Sequence, residues 1–293
     1  GTLKDILGKA DFFDLGHFDE EKGDSESVKD DKSKKRLEII EKFENLSPKS
    51  FAEEWDNIGL LAGRRDKEVN TIYIALDATD DVIEEAVRLK ADLLLTHHPL
   101  IFKKMSRVNT DDFIGRRVFR LIQNDICYYA MHTNFDVMGM ADAAADELKL
   151  QNCQVLNVTY EDEISKEGCG RYGSFTSEMS LAECAELVKR TYHVPNVRVF
   201  GNLTDRVEMA AVMPGSGGSY IQDALRAGVD VMITGDIDHH EGIDAVAQGL
   251  NVIDAGHYGI EKLFIPYMKE FLHRELPDIQ LYLAEPKEPF VVV

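Results

Sequence analysis

The sequence predicts an α/β fold of two α/β subdomains with mixed sheets, with a metal site at strand carboxyl ends between them. Three observations carry this expectation. Short β-branched runs alternate with amphipathic helical stretches, the pattern of βαβ units. The alternation closes near residue 150 and then starts a second round. Three strand ends, far apart in the chain, each finish in imidazole or carboxylate side chains, where open α/β sheets bind their ligands.

Composition sets the frame. The 293 residues suffice for two domains of ordinary size. Hydrophobic residues make up 44% and charged residues 29%, and no apolar run approaches the roughly 18–20 residues of a membrane-spanning helix. With 33 basic against 53 acidic side chains the net charge is −20, which repels a nucleic-acid backbone or an anionic lipid surface. Neither non-specific nucleic-acid binding nor a membrane partner is expected, and a small local basic site stays open. Cys127, Cys153, Cys169 and Cys184 form no C-x-x-C pair, and no charged-then-apolar signal segment opens the chain. A reduced, cytoplasmic protein is expected, without a zinc knuckle. Any metal must therefore be held by His and carboxylates.

In chain order, residues 1–35 read as an appended, weakly packed extension, polar from Asp19 to Lys35, with a small cluster at Phe12, Phe13 and Phe18. Leu37, Ile39, Ile40, Phe43 and Leu46 recur at helical spacing until Ser47-Pro48 stops the helix. Strands are expected at 71–76, 92–95 and 126–130, separated by helices at 80–89, 111–123 and 141–148. The second round brings strands at 154–158 and 172–175, a helix at 181–192, strands at 197–200 and 207–212, and a helix at 220–227. Strand 229–234, helix 240–248, strand 252–254 and a long helix 260–272 close it. The expected subdomains are 36–150 and 151–254.

The candidate chemistry sits at the strand ends. Strand 92–95 runs into Thr96-His97-His98-Pro99. Adjacent residues of an extended chain point to opposite sides, so His97 and His98 suit two different metal ions better than one. Strand 126–130 leads to His132-Thr133-Asn134-Phe135-Asp136, although Asp136 alone also suits a loop cap. Strand 252–254 leads to His257 and Glu261, four residues apart on one face of a first helical turn. His97, His98, Asp136, His257 and Glu261 share one explanation if they form one site. Five such donors exceed the three or so of an open mononuclear centre. Two divalent ions (Zn, Mn, Fe or Co) bridged by a carboxylate use them better. Such a pair outweighs the charge of Asp136 and Glu261, holds an anion, and brings a water to nucleophilic strength near neutral pH.

With the further motifs Glu54-Trp55-Asp56-Asn57-Ile58-Gly59-Leu60, Gly215-Ser216-Gly217-Gly218 and Thr234-Gly235-Asp236-Ile237-Asp238-His239-His240, residues 36–293 resemble the dinuclear metal-centre hexameric proteins. These are also called type 2 GTP cyclohydrolase I homologues or Ngg-interacting-factor-three-like proteins. The resemblance implies that His97, His98, Asp136, His257 and Glu261 bind two metals, with Glu261 the bridge. It also implies that about 255–293 completes the first subdomain, and that the chain assembles as a toroidal homohexamer. Some members carry a large inserted domain, for which the stretch 151–215 leaves no room.

Other residues keep two readings. Trp55 reads first as a packed aromatic beside turn residues and second as a substrate lip. Gly215, Gly217 and Gly218 can offer amides to a phosphate or simply make a tight turn. Asp236, His239 and His240 read as orienting partners or proton carriers of the ligands, or equally as surface or capping residues. His132 reads as an orienter or general base, and Asp77 as a turn residue. His17, His193 and His273 receive no role. Two functions follow. The first is a dinuclear metal-dependent hydrolase acting on a nucleotide-like or other anionic small molecule, GTP cyclohydrolase type 2-like or a phosphoesterase. The alternative is a non-catalytic, ring-shaped, metal-binding regulatory or protein-interaction scaffold.

Overall fold

The structure, a computed structural model, describes residues 38–293; the expected extension 1–35 lies outside them. Residues 38–46 form helix α1, which buries Ile39 and Phe43 as the apolar spacing requires. The first round then runs β1 (Gly59–Ala62), β2 (Thr71–Ala75), α2 (Asp80–Arg88), β3 (Leu93–Thr96), α3 (Phe113–Gln123) and β4 (Cys127–Ala130). A helical turn Thr133–Phe135 and a π-helical turn Asp136–Met140 lead into α4 (Ala141–Glu147). The second round is β5 (Gln151–Glu161), β6 (Lys166–Ser180), α5 (Leu181–Tyr192), β7 (Arg198–Phe200), β8 (Arg206–Ser216), α6 (Ile221–Ala227), β9 (Val231–Gly235), α7 (His239–Ala247) and β10 (Asn251–Asp254). Helices α8 (His257–Glu261) and α9 (Phe264–Glu275) and strand β11 (Gln280–Leu283) complete the chain.

Two mixed sheets result, ordered β1-β4-β3-β2-β11 and β5-β6-β8-β9-β10-β7. Connection length decides strand direction. Helical crossovers make β2, β3 and β4 parallel, and likewise β8, β9 and β10. The short turn between β5 and β6, fixed by Asp162 Oδ1 accepting from the Ile164 and Ser165 amides, makes that pair antiparallel. Alternate residues then face opposite layers. In β2, Ile72 and Ile74 meet Phe43, Met268 and Leu272, whereas Tyr73 and Ala75 meet Ile83, Val118 and Leu121. In the second sheet, Val212, Ile233 and Ile253 pack against Leu181, Val188 and Tyr192, and Ala211, Met232 and Val252 against Ile221, Ala224 and Ala245. Each fully buried aliphatic side chain contributes about 1.5–3 kcal/mol. These layers therefore make a rigid scaffold that tolerates a costly polar cluster at its edge.

Three expectations need correction. The helix expected at 260–272 is two helices, because Pro266 has no N–H to donate and its ring crowds the carbonyl of the preceding turn. Strand β6 extends far beyond 172–175, since its Gly-rich, partly exposed ends hide the alternation. Strands β1 and β11 were not anticipated; each has four residues and forms an edge of the first sheet. Among the described residues, no helix is long and apolar enough to cross a membrane.

Candidate metal centre

The register of each sheet brings the donors together. Ala75, Thr96 and Ala130 pair across β2, β3 and β4, so Asp77, His97, His98 and His132 leave the first sheet side by side. In the second sheet Ser216 pairs with Gly235 and Thr234 with Asp254, so Ser216, Asp236 and His257 also leave together. The two edges meet where His98 Nε2 lies 3.2 Å from His257 Nε2. A buried network fixes the turn at His98. Thr96 Oγ1 donates to the His98 carbonyl (2.8 Å), Tyr128 Oη lies 3.0 Å from the same oxygen, and the Leu100 amide donates to Tyr128 Oη (2.9 Å).

Each imidazole is pinned through Nδ1. His97 Nδ1 is 2.8 Å from the Met131 carbonyl, His98 Nδ1 2.8 Å from Asp77 Oδ1, His132 Nδ1 3.1 Å from Asp56 Oδ1, and His257 Nδ1 2.7 Å from Asp236 Oδ2. Ser216 Oγ donates to the same Asp236 oxygen at 2.6 Å. The pinning orients the Nε2 atoms of His97, His98 and His257 toward carboxylates. His97 Nε2 lies 3.2 Å from Asp136 Oδ1 and 3.6 Å from Glu261 Oε1. His98 Nε2 and His257 Nε2 lie 2.7 and 2.9 Å from Glu261 Oε2. Two donor triads therefore share Glu261: His97, Asp136 and Glu261 in one, His98, His257 and Glu261 in the other. The pair His97 and His98 does divide between the triads, and His132 joins them in a third grouping.

Burial and charge define what this cluster can do. His97 is fully buried and Glu261 nearly so. Yet His97 Nε2, Asp136 Oδ1 and Glu261 Oε2, all buried, have no well-directed hydrogen bond despite these short separations. Donors that converge this closely with no hydrogen bond between them fit cations held among them, and this all-nitrogen-and-oxygen set suits borderline or hard divalent ions. Without a cation, protons must supply the positive charge. Burial raises the Glu261 carboxyl, but the His257, His97 and His98 imidazoles crowded against it overcome this and hold the group well below the usual range. Burial likewise opposes the charge on His97, and Asp136 with Glu261 wins, so its pKa is raised well above normal. His257 is pushed up to about 9, chiefly by the Glu261 carboxylate 2.9 Å away.

The backbone is shaped for the carboxylate. Gly215 holds φ +77°, and a Cβ there would collide with Glu261 Oε1. Gly217 and Gly218 likewise face the Thr234 and Glu241 side chains with no room for a Cβ, and the Gly217 amide already donates to the Gly235 carbonyl at 3.1 Å. The glycine run thus fits the tight-turn reading, and the Gly217 amide is not free for a phosphate. His239 and His240 take the surface alternative. Both are exposed on the first turn of α7, ring against ring, because Asp238 caps that helix and turns them outward. Asp236 does reach His257. Sequence reasoning missed Asp77, Asp56 and Ser216 as partners of the imidazoles. Each follows a strand or loop in a way that equally suits a turn, and only pairing across the fold distinguishes them. Trp55 is not packed away: it is 58% exposed and lies beside Phe102 and His132. A cavity of about 1820 Å³ opens at the second triad, lined by Asp77, His98, Phe102, His132, Asp236 and His257.

Comparison with known proteins finds relatives along most of the chain. The family model described as Duf34/NIF3 (NGG1p interacting factor 3) matches residues 34–288. A GTP cyclohydrolase 1 type 2 homolog of Clostridium perfringens is 36% identical over 257 residues, covering 86% of this chain and 97% of the relative. A homolog of the same description from Bacillus subtilis is 29% identical, covering 84% of this chain and 92% of its own length. Among solved structures, a Bacillus cereus protein related to NIF3 superposes with a TM-score of 0.81 at 28% identity, covering 88% of this chain and 99% of that one. Reduced HcgD from Methanocaldococcus jannaschii superposes with a TM-score of 0.73 at 35% identity, covering 85% of this chain and 97% of that one.

Proposed function

This chain belongs to the Duf34/NIF3 family, and from that premise we propose that it is a dinuclear metal-dependent hydrolase acting on a nucleotide-like or other anionic small molecule. The observation that carries the reading is the set of buried, hydrogen-bond-orphaned atoms His97 Nε2, Asp136 Oδ1 and Glu261 Oε2 at the junction of two triads. His97, Asp136 and Glu261 would hold one ion, and His98, His257 and Glu261 the other, with Glu261 common to both. Two divalent ions bound there would supply Lewis acidity and a coordinated water of lowered pKa.

The remaining residues have their own tasks. Asp77, Asp236 and Asp56 fix the tautomer and direction of His98, His257 and His132. His132, its ring 5.2 Å from that of His97 and 5.6 Å from that of His98, is placed to orient the substrate or hold a proton during the reaction. The cavity beside the second triad receives the substrate, and the buried side of the first triad excludes bulk water. GTP is a natural trial substrate because relatives carry the name GTP cyclohydrolase 1 type 2 homolog. A homohexamer, as the sequence resemblance implies, belongs to the same reading.

Mass spectrometry of products tests it. The chain, loaded in turn with Zn, Mn, Fe and Co, is offered GTP and a panel of phosphomonoesters and phosphodiesters. We expect metal-dependent hydrolysis of one class, abolished in Glu261→Gln. Full metal loading with no turnover of any compound would overturn the hydrolase and leave the metal-binding scaffold.

A further inference from the structure

Two aromatic side chains that the metal centre does not use stand beside it, Phe102 on the cavity wall and Trp55 against Phe102. Trp55 is 58% and Phe102 55% exposed, with ring centroids 5.7 Å apart and planes at 54°. Trp55 also meets the His132 ring edge-on at 6.0 Å, so the pair lies one ring away from the cluster. Folding ordinarily hides most of such rings. Two of them in contact, each more than half exposed and next to buried polar donors, leave apolar surface that a ligand can cover.

This lip is held in place from several directions. Asp56, next to Trp55, accepts from the Thr133 amide (3.0 Å) and the Thr133 hydroxyl (2.6 Å) and anchors His132. The Glu53 amide donates to Thr133 Oγ1 at 2.9 Å. Asn57 Nδ2 donates to the Ile101 carbonyl at 2.7 Å, tying the segment that carries Trp55 to the one that carries Phe102. The segments that carry the rings are thus fixed relative to His132, which confines the ordering cost of binding to the two side chains. The cavity wall carries Arg117, Arg198 and Lys287 against seven carboxylates, Asp77 and Glu288 among them, so the cations that would hold an anionic substituent are the two metal ions of the proposed centre.

We propose that Trp55 and Phe102 form a stacking lip for the planar heteroaromatic ring of an anionic substrate, holding that ring beside His132 with its anionic group in the cavity. The proposal rests on the hydrolase reading for its place in a reaction, and on the aromatic geometry alone for ring recognition. A sugar phosphate meets the cations without the rings. A neutral base meets the rings without the cations. A nucleotide meets both and binds tighter than either.

Trp55 is the only tryptophan in the chain, so its fluorescence reports this lip directly. The metal-loaded full chain is titrated with AMP, UMP, adenosine and ribose 5-phosphate. AMP is expected to change Trp55 emission saturably, and ribose 5-phosphate to leave it unchanged. Phe102→Ala, which keeps the reporter and removes an exposed ring, should bind AMP about tenfold more weakly with unchanged metal content. Calorimetry on Trp55→Leu should show a similar loss. The lip is overturned if no nucleotide alters Trp55 emission, if ribose 5-phosphate binds as tightly as AMP, or if both variants bind AMP like the parent. Elemental analysis alongside separates the two claims. Full metal content with silent Trp55 emission overturns the lip alone, whereas an AMP response from a chain that takes up no metal overturns the metal reading and leaves the lip.

Discussion

The two triads use the same kinds of donor in different surroundings. Around His97 the site is closed: the ring is fully buried and its outer nitrogen is met by an uncharged backbone carbonyl, that of Met131. Around His98 and His257 it is open to the cavity, and the outer nitrogens meet carboxylates, Asp77 and Asp236. A carboxylate makes an imidazole a stronger base and a stronger ligand, but it remains within reach of solvent and substrate. On the proposed reading the closed triad would hold its ion permanently, and the open triad would exchange its ion and meet substrate. Glu261, with one oxygen toward each, makes the two interdependent.

The largest expected effect breaks the comparison altogether. Glu261→Gln removes the shared charge, and metal content measured by elemental analysis should fall at both sites together, by more than the ~100-fold affinity loss that follows removal of an outer partner. Loss of one ion with the other retained would show that the triads are independent.

Next come substitutions that sharpen it. Asp77→Asn and Asp236→Asn keep the hydrogen-bonding shape around His98 and His257 but remove the charge. Each should weaken the open site about 10–100-fold while the closed site keeps its ion. Isothermal titration with Zn should then resolve one tight and one weakened event. Equal weakening of both events would contradict the division.

The smallest effect is one of pH. In the metal-free chain His257 is held up at about 9 from 6.5, chiefly by the Glu261 carboxylate beside it. Its folded pKa lies above its unfolded one, so its contribution to stability is fully present below pH 6.5 and is lost as pH rises through about 9. The Tm of metal-free protein should fall across that window. Metal-loaded protein, in which the ligand imidazole carries no proton to lose, should not show the same fall. An unchanged metal-free Tm between those limits would remove proton sharing at the open triad.

The donors themselves were legible because they follow strand ends, where an α/β sheet collects ligands, and His257 with Glu261 because helical spacing puts residues four apart on one face. The periodicity of residues 181–192 likewise gave α5 its full extent. What stayed hidden depends on partners distant in the chain. Asp77 and Asp56 have the chemistry of turn residues until the fold places His98 and His132 against them. Trp55 looks like core by its apolar surface, and only the short connections through Asp56 and Asn57 hold it outward. Gly215 reads as a flexible loop residue, whereas its positive φ and the Glu261 carboxylate packed on it are consequences of β8 meeting α8. Strand β11 offers only four partly exposed residues, too few for alternation to register, and gains its order from pairing with β2.

The central claim is that Glu261 lies between two cations. Anomalous diffraction from crystals of the metal-loaded chain tests it most directly. The account predicts two peaks, one bounded by His97, Asp136 and Glu261 and the other by His98, His257 and Glu261; a single peak, or peaks away from Glu261, would contradict it.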